Sequence, residues 1–260
     1  MAAFDAEVTR VTAYVDEMHA KGRPAREFSC PSSIDGLEDG LLVRVGPGAN
    51  PGIILRGDTF VELGSPDAGS CAFVLWTDSP SLVRDGRVTL IGPDIQETPG
   101  ASLPFGQILL AGGKGLGPED HQSLWQAQYV ADQVEGYMVK SSSRSMWSRV
   151  SKDAAAKGFS FETLGRSLML IFRTTVPKVE AIEAVFITSS KEDVLLLDDI
   201  AATVQKVGSE IVKETWKSKG YDLDCSLDCS SCHDKEVCDS IRVIAARRRD
   251  GGDSDTADRA

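Results

Sequence analysis

At 260 residues, with 42% hydrophobic and 26% charged residues, the chain has the length and composition of a soluble globular protein with a sizeable core. Its 28 basic and 39 acidic residues give a formal net charge of −11 at pH 7. Nucleic acids and anionic membrane surfaces are bound through clustered Lys and Arg, so this balance argues against both as partners. The basic cluster at residues 247–249 runs directly into an acidic stretch, and we expect residues 247–260 to form a disordered tail.

Features that would direct the chain into or across a membrane are not found in the sequence. No stretch approaches the roughly 18 consecutive apolar residues of a membrane span. The N-terminal residues also lack the basic and apolar regions of a secretory signal. We therefore expect a cytoplasmic protein, in which the six cysteines are thiols or metal ligands more often than disulfides.

The first predicted element is an amphipathic helix over about the first twenty residues. Its apolar positions recur at spacings of three and four, and they are Phe4, Val8, Val11, Val15 and Met18. We expect this helix to pack on the domain, with a partner-binding helix as the alternative. Residues 25–50 are rich in Gly, Pro and Ser and are interpreted as a connecting segment.

Short strands are predicted next, because β-branched and aromatic residues alternate with turns that contain Gly and Asp. The candidates are residues 53–55, 59–63, 71–76, 87–91 and 107–111. Their close succession favours a largely antiparallel meander.

Helices dominate the chain after these strands. They are predicted at residues 118–140, 151–157, 160–173 and 191–219, with one strand at residues 184–188. Strands followed by helices indicate an α+β fold, a mixed and largely antiparallel sheet covered by helices. We expect this domain at residues 46–220, after an N-terminal helix and connector at residues 1–45.

Three segments carry a resemblance to a known family. They are residues 56–64 (RGDTFVELG), 85–95 (DGRVTLIGPDI) and 147–159 (WSRVSKDAAAKGF). In order and spacing they resemble the middle domain of acetyl-CoA synthase, the beta subunit of the CO dehydrogenase/acetyl-CoA synthase complex. The resemblance covers roughly residues 50–205.

The resemblance implies a role connected with acetyl-CoA synthesis from CO, a methyl group and coenzyme A. The family's nickel-binding Cys-Gly-Cys tripeptide does not occur in this sequence, so we expect no synthase activity from the chain alone. The implied partners are components of the acetyl-CoA synthase/CO dehydrogenase complex or a corrinoid protein. The resemblance also implies coenzyme A binding, with Trp147 and the neighbouring Arg149 as the matching residues.

The chemistry of residues near Trp147 is compatible with such a ligand. Arg144, Arg149, Lys152 and Lys157 can neutralise phosphates, and the Trp147 ring can stack on adenine. The start of the helix at Ser151 would add free backbone N–H groups. A solvated basic face is the alternative interpretation.

Lys114 is a second candidate for coenzyme A binding. It lies in a glycine-rich loop, residues 112–117, between a predicted strand and a predicted helix. The loop satisfies neither the P-loop nor the dinucleotide-binding pattern, so a simple connector is the alternative.

A Cys-rich module at residues 221–246 is the strongest independent signal in the sequence. Its thiols follow the pattern C-x3-C-x2-C-x5-C at Cys225, Cys229, Cys232 and Cys238. Four such thiolates match a [4Fe–4S] cluster or a tetrahedral zinc site. The gaps, and the anaerobic carbon metabolism that the resemblance implies, favour iron–sulfur. Reduced structural thiols, or two disulfides in protein purified in air, are the alternative.

Two functional hypotheses follow. The first is an accessory or non-catalytic homologue that binds coenzyme A or docks on the complex and carries an iron–sulfur or zinc site. The second is one subunit of a split CO-methylating synthase whose nickel domain is on another chain. A structural interaction module with a zinc site is a third possibility. The three histidines, His19, His121 and His233, indicate no catalytic constellation.

Overall fold

The computed structural model describes residues 4–49, 52–128, 133–142 and 145–218. Within these ranges the helices are α1 (Asp5–Ala20), α2 (Ile34–Glu38), α3 (His121–Ala127), α4 (Lys152–Ala156), α5 (Phe161–Thr175), α6 (Lys191–Leu195) and α7 (Asp198–Ser218). The strands are β1 (Ala25–Ser29), β2 (Thr59–Leu63), β3 (Ser70–Thr77), β4 (Arg87–Ile91), β5 (Ser102–Leu103), β6 (Phe105–Gly112), β7 (Tyr137–Ser142), β8 (Ser145–Ser151) and β9 (Ala181–Ile187).

The strands form two mixed sheets. The first has five strands in the order β1-β4-β9-β6-β3, with β4–β9 and β3–β6 parallel and β1–β4 and β6–β9 antiparallel. The second has four strands in the order β5-β2-β8-β7, with β2–β5 parallel and the other two pairs antiparallel. The predicted α+β class with mixed sheets covered by helices is confirmed. The meander was wrong, because the successive strands β2, β3 and β4 do not pair with one another.

The core centres on β9, whose seven residues are all buried. Helix α5 packs across β4 and β9 so closely that a Cβ at Gly165 would come within 2.5 Å of the Val88 side chain. The Phe161 ring of α5 contacts Phe186 of β9 in a tilted arrangement, 5.1 Å between ring centroids, and stacks with Phe105 of β6 at 5.9 Å. Apolar burial of this kind joins helix and sheet into one core.

The predicted N-terminal helix is confirmed as α1. Its predicted apolar face is buried, with Tyr14 added to it. The Tyr14 hydroxyl donates to the backbone carbonyl of Asp193 at 2.9 Å, which ties α1 to α6. Burial and the nearby Asp193 carboxylate raise the Tyr14 pKa above its usual range.

Two further helices begin where the sequence predicts. Ser151 caps α4 by accepting from the Ala154 N–H, and Ser160 caps α5 by accepting from the Thr163 N–H. The strand predictions are confirmed for β2, β3, β4, β6 and β9.

The interpretation of residues 25–50 as a connecting segment was wrong in part. Ala25–Ser29 forms the edge strand β1, and Ile34–Glu38 forms helix α2. Strand β1 is only partly buried, so its apolar pattern is too weak to recognise. Residues 53–55 were wrongly predicted as a strand, since they lead into a single 3₁₀ turn at Arg56–Asp58.

The helix predicted at residues 118–140 is a short helix, α3, and Tyr137–Ser142 is a strand. Gly136 explains the difference: its φ of +73° is not helical, and a Cβ there would overlap Ala154. Strand β8 was not predicted.

The helix predicted at residues 191–219 is divided between α6 and α7, and Asp198 and Asp199 occupy the first turn of α7.

In the described ranges, no helix combines the length and apolar character needed to cross a membrane. The predicted Cys-rich module at residues 221–246, its boundary near Gly220 and the tail at residues 247–260 lie outside the described residues.

Candidate ligand-binding cleft

The three segments that carry the resemblance meet in space. Strand β2 of the first segment pairs with β8 of the third, with Glu62 opposite Arg149. Gln96, directly after the second segment, donates its side-chain amide to the carbonyls of Ala155 and Phe159, both at 2.9 Å. Segments far apart in sequence thus form one continuous part of the domain.

The second segment has a structural role. Gly92 adopts a φ of +116°, and a Cβ there would overlap the backbone nitrogen of Ser189. The Asp94 carboxylate accepts from the backbone N–H of Ile95 at 2.6 Å and of Phe161 at 3.0 Å. This turn therefore connects β4 to the start of α5 and the end of β9.

An open cleft of about 640 Å³ lies beside the first and third segments. Two arginines, two carboxylates, one indole and small residues line it: Arg56, Glu62, Ser65, Pro66, Asp67, Ala68, Ser102, Trp147 and Arg149. Trp147 and Arg149 share one face of β8 because side chains alternate along a strand, whereas Met146, Ser148 and Val150 point into the core.

Arg149 is the most constrained of these side chains. Its Nε and Nη2 lie 3.1 Å from the same carboxylate oxygen of Glu62, and its Nη1 donates to the Ile54 carbonyl at 3.2 Å. The guanidinium carbon lies 4.5 Å from the centroid of the Trp147 ring, a cation–π contact. The guanidinium is therefore held over the indole ring at the wall of the cleft.

The basic residues Lys152 and Lys157 are bonded to other groups of the domain and do not line the cleft. Lys152 donates to the Gly57 carbonyl at 2.7 Å, beside Arg56, but does not line the cleft. Lys157 pairs with Glu135 at 2.8 Å. This hydrogen bond, with that from the Arg44 N–H, lowers the Glu135 pKa to about 2.

Lys114 is not brought to Trp147. Gly113 donates to the Thr77 carbonyl at the far end of β3, whereas Met146 donates to Ser70 at its near end. Strand β3 has eight residues, so its ends are about 23 Å apart. The loop also packs closely against the backbone at that end, since a Cβ at Gly113 would overlap the Lys178 carbonyl. Arg144 lies outside the described residues.

Arg56 and Glu62 were not identified as site residues from the sequence. Both lie within the first resembling segment, so the signal that could have found them was present. Their importance follows from the pairing of β2 with β8, which single-sequence patterns do not reveal.

His121 is a core residue. The Trp76 indole N–H donates to its Nδ1 at 3.1 Å, and the Phe4 ring stacks on it at 6.0 Å. Burial lowers the pKa of His121 to about 4, so the ring is neutral at pH 7.

The cysteines that the structure describes are buried or half-buried. Cys71 is buried in the core of β3, and Cys30 is half-buried. Burial raises the pKa of the Cys30 thiol to about 11. In the described ranges no group of three or more His, Cys, Asp or Glu side chains could hold a metal. The predicted ligands Cys225, Cys229, Cys232 and Cys238 are outside those ranges.

Fold and cleft together define an α+β domain with an open surface site built from an aromatic ring, arginines and carboxylates. Residues 41–194 match the family described as CO dehydrogenase/acetyl-CoA synthase complex beta subunit. The chain belongs to this family, as the resembling segments predict.

The relatives are subunits of one kind of complex. The chain is 30% identical over 176 residues to the acetyl-CoA decarbonylase/synthase complex subunit beta 1 of Methanosarcina thermophila, covering 66% of the chain and 36% of the relative. It is 32% identical over 177 residues to subunit beta 2 of Methanosarcina acetivorans, with the same coverage. The subunit beta of Methanopyrus kandleri is 29% identical over 201 residues, 76% of the chain and 43% of the relative. The chain thus spans less than half the length of these relatives.

Proposed function

We propose that the chain is an accessory, non-catalytic homologue of the beta subunit that binds coenzyme A in the cleft. The observation that carries this proposal is the pairing of Trp147 with Arg149 on an open cleft wall. Coenzyme A carries an adenine ring and several phosphates, and an indole beside a guanidinium offers a partner for each. Arg56 on the same cleft is a second cation for a phosphate.

Calorimetric titration with coenzyme A tests this proposal. We expect saturable binding that weakens about tenfold in Trp147→Ala and in Arg149→Gln, since stacking or a bidentate phosphate contact is worth about 1–3 kcal/mol. Lys178→Gln is the matched control, because it removes a positive charge at the opposite end of β3. Absence of saturable binding by the wild-type chain would remove the ligand part of the proposal.

The second part of the proposal concerns partners. The relatives' names describe subunits of an acetyl-CoA decarbonylase/synthase complex, which supports docking of this chain on components of such a complex. A corrinoid protein is the other partner that the resemblance implies. Pull-down of purified components by the tagged chain tests this. Binding of neither kind of component would contradict the docking role.

We also propose that the four clustered cysteines hold a [4Fe–4S] cluster, with zinc as the alternative. Thiolates at this spacing suit either centre. Metal and sulfide analysis of protein purified without oxygen distinguishes them: about four irons with sulfide support the cluster, and about one zinc without colour supports a structural site. Cys232→Ser should lose the metal, whereas Cys30→Ser should keep it.

The alternative function is a subunit of a split synthase, which the word synthase in the relatives' names supports. In that case the chain should restore acetyl-CoA formation when it is added to a separate chain carrying the nickel cluster. An accessory homologue should not.

A further inference from the structure

The inference rests on the proposed cleft and concerns the carboxylate of Glu62. An arginine side chain has five N–H groups. Nε donates one to Glu62 and Nη1 donates one to the Ile54 carbonyl, while Nη2 forms an ion pair with the same Glu62 oxygen. Each terminal nitrogen of Arg149 therefore keeps at least one N–H group that makes no hydrogen bond to the described residues. The terminal nitrogens form the edge that grips a phosphate bidentately.

The same contacts place a negative charge where an anion would arrive. Glu62 is in contact with Arg149 and is itself a wall of the cleft, with 28% of its side chain exposed. The cleft's charged lining consists of Arg56 and Arg149 against Glu62 and Asp67, a formal sum of zero. A phosphate reaching Arg149 therefore meets an arginine whose charge is already compensated, and a carboxylate that repels it.

We infer that Glu62 is a specificity-determining residue of the cleft. Glu62 holds Arg149 over Trp147, and its negative charge weakens the binding of anions that have no ring for stacking. A ligand must then add stacking on the aromatic ring to bind well, as an adenine-bearing phosphate can. Rejection of bare anions through a resident like charge is a form of specificity by repulsion.

Substitution Glu62→Gln separates these two roles. The amide oxygen still accepts from Arg149, so the stacked position is kept while the negative charge is removed. We expect Glu62→Gln to bind inorganic pyrophosphate about tenfold more tightly than the wild type, because a like charge beside the anion is removed. Glu62→Ala, which also frees Arg149 from its position, should gain less. The control is Glu119→Gln, an equal charge change next to Lys178 at the opposite end of β3.

The measurement is titration with pyrophosphate, followed by the NMR signal of the Trp147 indole, which is assigned with Trp147→Phe. Unchanged or weaker pyrophosphate binding in Glu62→Gln would overturn the inference. An equal gain in Glu119→Gln would do the same, because the effect would then be one of net charge.

The outcome is independent of the proposed function. Tighter pyrophosphate binding in Glu62→Gln, with no coenzyme A binding by any variant, keeps the role of Glu62 and rejects the proposed ligand. Coenzyme A binding that depends on Arg149, with no effect of Glu62→Gln on the binding of either ligand, keeps the proposed ligand and rejects the role of Glu62.

Discussion

Gly208 of α7 lies against the imidazole of His121, and a Cβ at position 208 would come within 2.7 Å of the ring's Nε2. On the other side of the ring, the Trp76 indole donates to Nδ1. The neutral ring that accepts at Nδ1 carries its hydrogen on Nε2. Helices α3 and α7 can approach this closely because position 208 has no side chain.

Gly208→Ala is predicted to destabilise the protein by about 1–3 kcal/mol, as overpacking of a core does. This loss opposes the gain of about 1 kcal/mol that alanine usually gives over glycine inside a helix. Urea unfolding at pH 7 measures the difference. Gly57→Ala serves as the control, since a Cβ there meets nothing within 4 Å. A more stable Gly208→Ala variant would show that α7 does not pack on His121.

The buried His121 predicts a loss of stability in mild acid. Its pKa is about 4 in the folded protein, below the ordinary 6.5, so between these values the unfolded state binds more protons. The free energy of unfolding should therefore fall as the pH drops below 6.5, by about 2 kcal/mol at pH 5. Urea unfolding at pH 7 and pH 5 measures it.

The matched variants for this pH dependence are His121→Gln and His19→Gln. The first keeps an acceptor for the Trp76 indole but cannot be protonated, so most of the loss between pH 7 and pH 5 should disappear. His19 is exposed at the end of α1, and its variant should behave as the wild type. An unaltered pH dependence in His121→Gln would contradict the assignment.

Gly92→Ala is predicted to be among the most damaging substitutions in the domain. The φ of +116° is unfavourable for alanine, and the added Cβ would overlap the Ser189 nitrogen. We expect a loss of more than about 3 kcal/mol, or insoluble protein. Gly100→Ala also requires a positive φ, but meets nothing within 4 Å. It should lose about 1–2 kcal/mol of stability from the unfavourable backbone conformation alone. Equal losses of stability for the two variants in thermal unfolding would contradict the steric argument.

Arg87 links a buried and an exposed carboxylate. It contacts Glu183, of which 4% of the side chain is exposed, and Glu27, of which 47% is exposed. Arg87→Gln would leave the Glu183 charge buried without its cation, and should destabilise by about 3–5 kcal/mol. Glu27→Gln should change stability by less than about 1 kcal/mol.

The double variant Arg87→Gln with Glu183→Gln tests the cause of that loss. It removes the uncompensated charge, so we expect it to recover a substantial part of the stability in urea unfolding. No recovery would mean that the packing of Arg87, and not the buried charge, is responsible.

Elements with local signals could be predicted from the sequence, and elements fixed by distant partners could not. Helices α4 and α5 have Ser caps and apolar stripes that belong to their own residues. The predicted helix extends over β7 because Val134, Tyr137 and Met138 also fit a helical spacing. The strand order could not be derived, because β4 and β6 are separated by β9, which comes some seventy residues later.

The residues of the cleft also divide into those with a local signal and those fixed by distant partners. Trp147 and Arg149 were expected to lie together, and the alternation along β8 places them on one face. Their nearest charged neighbour, Glu62, comes from a strand 87 residues earlier in the chain. Lys114 follows β6 in the sequence but lies at the other end of β3, a fact that depends on the parallel pairing of these two strands.

The position of β9 has a consequence for how the protein is made. Strands β1 and β4 form one pair and β3 and β6 another, and both pairs leave the ribosome before Ala181–Ile187 is synthesised. Until then, the inner edges of β4 and β6 present unpaired backbone groups, a template for wrong pairing between chains. The centre of this sheet is the last of its strands to be translated, so the nascent protein depends on β9 to close the edges of β4 and β6.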